Sequence, residues 1–168
     1  MAHLVSSWHP PFSPSPAISI ESDDLHPPTN VAKVQSGTPL NDADRMPWLD
    51  AVAAAIVRAR STGDAVVVAC SALRRIYRAH LAGCATPIEL CFVYLDVPKR
   101  ELQARLEKRA EHCMPARLLT SQLATLEVPD ANAETGYRVA SVLVAPDMGP
   151  GDVAAAVANA IGWVRVVE

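Results

Sequence analysis

Two neighbouring stretches concentrate the residue types that do chemistry on polar small molecules. The first is Asp23-Asp24-Leu25-His26-Pro27-Pro28-Thr29-Asn30. The second is Gly37-Thr38-Pro39-Leu40-Asn41-Asp42-Ala43-Asp44-Arg45-Met46-Pro47-Trp48-Leu49. Carboxylates can accept or orient a hydroxyl proton, and imidazole can hydrogen-bond hydroxyls. A guanidinium grips carboxylate or phosphate through a planar fork that lysine cannot reproduce. Arg74, Arg75 and Arg78 add cations further on, and Arg105 and Arg109, four residues apart, fall on one helix face. Plainer roles stand beside these. Asp23 or Asp24 could cap a turn, and Arg45 could form a solvated ion pair with Asp42 or Asp44. Arg74 and Arg75 suit an exposed helix face, and Arg105 and Arg109 could pair with Glu101 and Glu107. Ser71, after Cys70, has no base suggested beside it that would make it a nucleophile.

The elements that must position these residues follow from hydrophobic periodicity. Ala17–Glu21 reads as a short strand feeding the acidic stretch. A helix over Pro47–Arg60 places Leu49, Val52, Ala53, Ile56 and Val57 on one face, with Pro47 in the first turn. Ala65–Cys70 is a continuous apolar run, as in a strand buried on both faces of a parallel sheet. Ala72–Leu81 reads as a helix carrying Leu73, Ile76, Tyr77, His80 and Leu81 on one side, with Gly83 as its stop. Glu89–Asp96 is a strand, Pro98 opens a helix with Leu102 and Leu106 inward, and Pro115–Leu126 is another helix. Tyr137–Val144 is a last strand, and Asp152 caps a final helix to about Ile161. Strands alternating with helices predict an α/β domain with a mainly parallel sheet.

Composition narrows the function. The chain has 168 residues, which fits one domain, and half of them are apolar, enough for a core. A net charge of −3 argues against nonspecific nucleic-acid binding, which needs concentrated Lys and Arg. No apolar run approaches the roughly 18–20 residues that span a bilayer. Cys70, Cys84, Cys91 and Cys113 lie far apart without a C-x-x-C pair, so a zinc site made of these thiols is not expected, and reduced cysteines in a cytosolic protein are. Residues 1–19 hold four prolines and no Lys or Arg. They lack the features of a signal or transit peptide and read as a loosely ordered leader to a domain over 20–168.

Three blocks, kept in order across about 110 residues, resemble the gluconokinase family of small P-loop kinases. The first is Asp23, Leu25, His26, Pro27, Asn30, Lys33, Gly37, Pro39, Leu40, Asp42, Asp44, Arg45, Pro47, Trp48 and Leu49. The second runs from Ala69 to Arg78. The third is Arg109, His112, Met114, Pro115, Ser121, Gln122, Thr125, Leu126, Glu127 and Pro129. The resemblance implies a P-loop-kinase-like parallel sheet flanked by helices, and ATP-dependent phosphorylation of D-gluconate to 6-phosphogluconate with Mg²⁺. It also implies a cytoplasmic location and a possible homodimer. On this reading Asp23 is the base and His26, His112 and Gln122 bind the sugar acid. Arg45 and Arg78 hold its carboxylate, and Arg105 and Arg109 are lid cations on phosphate, with Arg109 catalytic. Glu21, where the family has Asp, is the candidate Mg²⁺ ligand.

The departures concern the nucleotide. The first glycine is Gly37 and no later glycine is followed by Lys, so no G-x-x-x-x-G-K-[ST] loop occurs. Ser22 stands for a usual Gly or Ala, and Glu111 and Cys113 replace Gly and Phe in the lid. The chain therefore reads as the family fold lacking the first strand, P-loop and first helix. By family topology that strand lies mid-sheet, so the strands at Ala65–Cys70 and Glu89–Asp96 should be left separated. A sugar-acid-binding pseudo-kinase is the alternative.

Overall fold

The computed structural model describes residues 17–62, 65–108 and 117–162. Strand β1 (Ile18–Glu21) is followed by a 3-10 turn (Ser22–Leu25), α1 (Pro28–Gln35) and α2 (Asp42–Arg60). Then come β2 (Val66–Ala69), α3 (Arg75–Cys84), β3 (Cys91–Asp96), α4 (Lys99–Lys108), α5 (Arg117–Thr125), β4 (Arg138–Leu143) and α6 (Pro150–Ile161). The α/β class is as expected. β1 already includes Ile18 and Ser19, so the domain begins ahead of the boundary expected at residue 20.

The strands form two separate parallel pairs. β1 lies beside β2 with Ile18 opposite Val66 and Glu21 opposite Ala69. β3 lies beside β4 with Cys91 opposite Arg138 and Asp96 opposite Leu143. Among the described residues no ladder joins β2 to β3, which is the separation expected between those two segments. β2 is only half-buried over Val66–Val68, where the apolar run had suggested burial on both faces. Each pair has its own apolar cluster. Trp48, Leu49, Val52, Ala53, Ile56, Tyr77 and Leu81 form one, with Ile20 and Val68 from β1 and β2 against it. Val97, Val142, Val144 and Val153 form the other, with Val93 and Leu95 of β3. Phe92 and Leu90 reach from the β3 segment into the first cluster.

Three helices differ from the sequence reading. α2 starts at Asp42, five residues before Pro47, because Asn41 and Asp44 form a capping box. The Asn41 side chain accepts from the Asp44 amide at 3.0 Å, and the Asp44 carboxylate accepts from the Asn41 amide at 3.1 Å. That box satisfies the first turn so well that Pro47 is carried inside the helix, without the N–H that Ala43 would otherwise receive. α1 was not anticipated. Its signal is Pro28 at the first helical position. α3 begins at Arg75 and runs to Cys84, later at both ends than expected, and Ile76 on it is exposed.

Trp48 ties these parts together. It is fully buried, and its indole Nε1 donates to the Ser22 carbonyl at 2.7 Å, fixing the exit of β1 against α2. Trp48→Phe keeps most of the apolar surface but leaves that buried carbonyl without its donor. The substitution should cost about 1–3 kcal/mol, read as a lower urea midpoint at unchanged slope. An unchanged midpoint would show that the tie contributes nothing.

Candidate functional site

The carboxyl ends of β1 and β2 are level, since Glu21 pairs with Ala69. The segments that leave them, Ser22–His26 and Cys70–Leu73, therefore emerge at the same edge. In α/β sheets that edge is where ligands bind. Glu21 is half-buried at the strand end and Asp23 and Asp24 are exposed in the turn that follows. The Cys70 thiol sits beside the Ser22 hydroxyl, and burial pushes it up to about 12, so it is an inert packing group.

His26 is held on two sides. Its ring stacks on Trp48 with centroids 4.3 Å apart and planes 16° from parallel. The Asn30 amide nitrogen donates to the Asp44 carbonyl at 2.8 Å, which fixes the orientation of the amide. The same nitrogen lies 3.3 Å from His26 Nδ1, which must then accept. A neutral ring with Nδ1 accepting carries its proton on Nε2. Burial lowers the His26 pKa below 6.5, opposed by the nearby Asp23 carboxylate and reinforced by Arg45. His26 is thus a neutral ring that carries its one N–H on Nε2.

Arg45 projects from the first turns of α2 and is only 6% exposed. Its Nε makes a long 3.4 Å bond to the Leu40 carbonyl, and its guanidinium lies over the Tyr77 ring, 5.8 Å from the centroid. Among the described residues no carboxylate comes within ion-pair distance of it. Burial pulls its pKa below the ordinary guanidinium value, partly offset by Tyr77, Cys70, Asp42 and Asp23. A buried cation without an anion is costly, and a ligand carboxylate would relieve that cost.

Arg78 differs from what the sequence suggested. It is 1% exposed and grips Glu134 with both branches, Nε to Oε2 at 2.8 Å and Nη2 to Oε1 at 2.6 Å. Nη1 donates to the Ala72 and Leu73 carbonyls at 3.0 and 3.3 Å. With four of its five donors taken by protein, Arg78 as placed is a brace between α3 and the 126–137 loop, whereas Arg45 has no carboxylate at ion-pair distance among the described residues. Glu134 had no signal in the sequence, because it lies 56 residues from its partner. Burial disfavours the charge on Arg78, but Glu134 outweighs it and raises the pKa above the ordinary guanidinium value. Hydrogen bonds from Arg78 hold Glu134 down at about 2 despite its burial, with help from Tyr137 and the Asp130 amide.

Other motif residues also prove to be scaffold. Lys33 pairs with Asp44. Arg74 bridges Asp42 at 2.7 Å and Glu127 at 3.1 Å, Tyr77 donates to Asp42 at 2.6 Å, and Glu127 accepts the Arg75 amide at 2.7 Å. This clamp joins α2, α3 and the end of α5 around an open cleft lined by Leu40, Asp42, Arg74, Tyr77, Thr125 and Glu127. Gln122 is half-buried on α5. Arg105, expected on a phosphate, is bound instead by Glu101 one turn earlier at 2.7 Å. Arg109 and His112 lie outside the described residues.

Two outcomes follow from the Arg78–Glu134 pair. Arg78→Ala strands a buried carboxylate and should destabilise the chain by about 3–5 kcal/mol, measured by denaturant unfolding. Glu134 has a folded-state pKa below its ordinary 4.5, so its contribution is complete above 4.5 and is lost as pH falls toward about 2. In Glu134→Gln the unfolding midpoint should therefore fall less than wild type between about pH 5 and about pH 2.5. Parallel acid limbs would show that the pair does not set acid stability.

No profile of a known protein family matches the chain. Individual proteins do. It is 51% identical over 109 residues to the gluconokinase of Gluconobacter oxydans (strain 621H), covering 65% of this chain and 60% of that protein. It is 34% identical over 153 residues to the gluconokinase of Arabidopsis thaliana, covering 84% of this chain and 79% of that one. The crystal structure of a gluconokinase from Sinorhizobium meliloti 1021 superposes with a TM-score of 0.65 at 37% identity, over 88% of this chain and 81% of that one. The chain thus spans only 60% of the length of its Gluconobacter relative. Substantial identity extends over most of the chain, and the fold is shared with a solved gluconokinase. The chain belongs to the gluconokinase family.

Proposed function

We propose that this chain binds D-gluconate at the carboxyl edge of β1 and β2, and that the activity it serves is ATP-dependent phosphorylation of that sugar acid to 6-phosphogluconate. The carrying observation is Arg45, a buried guanidinium with no carboxylate at ion-pair distance among the described residues. It is the group a carboxylate ligand would complete. Neutral His26 offers an N–H to a hydroxyl, and exposed Asp23 an acceptor that can orient a hydroxyl or take its proton. Gln122 can read a further hydroxyl. A cytosolic setting goes with this reading, and among the described residues no helix is long and apolar enough to cross a membrane.

The described residues do not fit ATP. A phosphate cradle needs successive backbone N–H groups converging at a helix start. The glycines with left-handed backbone are Gly37, Gly136 and Gly162. Gly37 follows α1, Gly136 lies in the turn before β4, and Gly162 ends α6, so none opens a helix. Nor does the single carboxylate of Glu21, at the end of β1, make a Mg²⁺ site without phosphate oxygens to share the ion. No step through nucleotide or metal follows from these residues. That mismatch supports the second reading, in which the chain binds the sugar acid without phosphorylating it.

Calorimetric titration distinguishes the outcomes. D-gluconate should bind and D-glucose, which lacks the carboxylate, should not. Arg45→Gln should weaken gluconate binding by about tenfold or more, the worth of one charge-assisted contact. The same variant should unfold no earlier than wild type, since it removes a buried charge without an ion-pair partner. Equal binding of gluconate by Arg45→Gln would overturn the assignment. Gluconate-dependent conversion of ATP to ADP, with 6-phosphogluconate formed, would discard the second reading.

A further inference from the structure

Outside the sugar-acid edge, three metal-ligating side chains converge on the surface where α2 meets α3. His80 and Cys84 sit four residues apart on α3 and so share a face. Asp50 reaches toward them from α2. His80 Nε2 lies 2.6 Å from Asp50 Oδ1, Cys84 Sγ lies 3.6 Å from His80 Nε2, and Cys84 Sγ lies 3.9 Å from Asp50 Oδ1. Three such donor atoms, all within 4.8 Å of one another, could surround one ion. None belongs to the gluconate site proposed above.

The geometry first excludes a nucleophilic relay. In a Cys–His–Asp relay the carboxylate holds one ring nitrogen while the thiol meets the other. Here carboxylate and sulfur both converge on Nε2. That arrangement blocks proton relay but suits a shared metal ion. Bond lengths of about 2.0 Å to nitrogen and oxygen and 2.3 Å to sulfur place tetrahedral donors about 3.3–3.6 Å apart. Both separations to sulfur are already near that spacing. Only the imidazole–carboxylate hydrogen bond must open, by about 0.7 Å, and Asp50, with its side chain 60% exposed, is free to rotate.

We propose that Asp50, His80 and Cys84 form a site for a borderline-soft divalent ion of the zinc class, with water as fourth ligand. Nitrogen and sulfur donors exclude Mg²⁺ and Ca²⁺, which take oxygen. On binding, the His80 ring proton passes from Nε2 to Nδ1, the Cys84 S–H bond breaks with its proton leaving to solvent, and the nitrogen–metal and sulfur–metal bonds form. Thiolate and carboxylate together balance the dication. The bound ion ties α2 to α3 and closes Cys84, which is otherwise exposed, to electrophiles.

The test uses the whole reduced, metal-free chain. Co²⁺ should bind at one equivalent with a thiolate charge-transfer band in the near ultraviolet, and Zn²⁺ should displace it. Zn²⁺ should also slow iodoacetamide alkylation of the Cys84 peptide, followed by mass spectrometry, by more than about tenfold. His80→Ala and Asp50→Asn should each lose most of that protection, and Cys84→Ser should lose the band. Both readouts sit on surface side chains, and retained far-ultraviolet circular dichroism confirms that each variant is folded. A Co²⁺ spectrum without the thiolate band, or Cys84 protection unchanged in His80→Ala and Asp50→Asn, would overturn the site.

Discussion

The hydrogen bond from the Trp48 indole to the Ser22 carbonyl is the constraint on which the site depends. It crosses from α2 to the first residue of the acidic turn, between two residues closed to solvent. The same indole stacks under His26. One side chain therefore fills the first apolar cluster, fixes the exit of β1 and sets the plane of the imidazole. The Asn41–Asp44 capping box aims α2 correctly for this, and Asn30 locks α1 to the Asp44 carbonyl. The motif residues are in large part the mounting of the site rather than its contacts.

Two half-sheets, each with its own cluster, carry this arrangement. β2 and β3 each have one ladder partner, so among the described residues each has a side whose backbone groups no strand satisfies. Phe92 and Leu90 still bring the second half against the first through side-chain packing. Apolar contact is nondirectional and tolerates the gap, whereas ladder hydrogen bonds do not. The sugar-acid edge lies wholly on the first half, at the ends of β1 and β2.

Arg45 and Arg78 show how tertiary context divides alike residues. Both are buried. Arg78 meets Glu134 in a forked pair and two carbonyls besides, so its charge is matched within the protein. Arg45 has a ring face, one long carbonyl contact and carboxylates only at a distance. The first arrangement is a brace, and the second leaves a buried cation unmatched by an ion pair among the described residues.

Hydrophobic periodicity by itself determined the alternation of strands and helices and, among the described residues, all four strands and five of the six α-helices, with ends shifted by up to about one and a half helical turns. Period and turn chemistry are local properties that chain neighbours carry. The gap between β2 and β3 among the described residues was legible too, because the glycines of the phosphate loop that accompanies the intervening strand in the resembled family do not occur in the sequence as given. Only the tertiary structure set Arg78 apart from Arg45, since Glu134 reaches Arg78 by position in space and not along the chain. It also decided where α2 begins, because the Asn41–Asp44 box outweighs the proline that seemed to mark the first turn. And it brought Asp50 to His80 and Cys84. Nothing in the spacing of those residues along the chain carries that meeting, which exists only because α2 packs on α3.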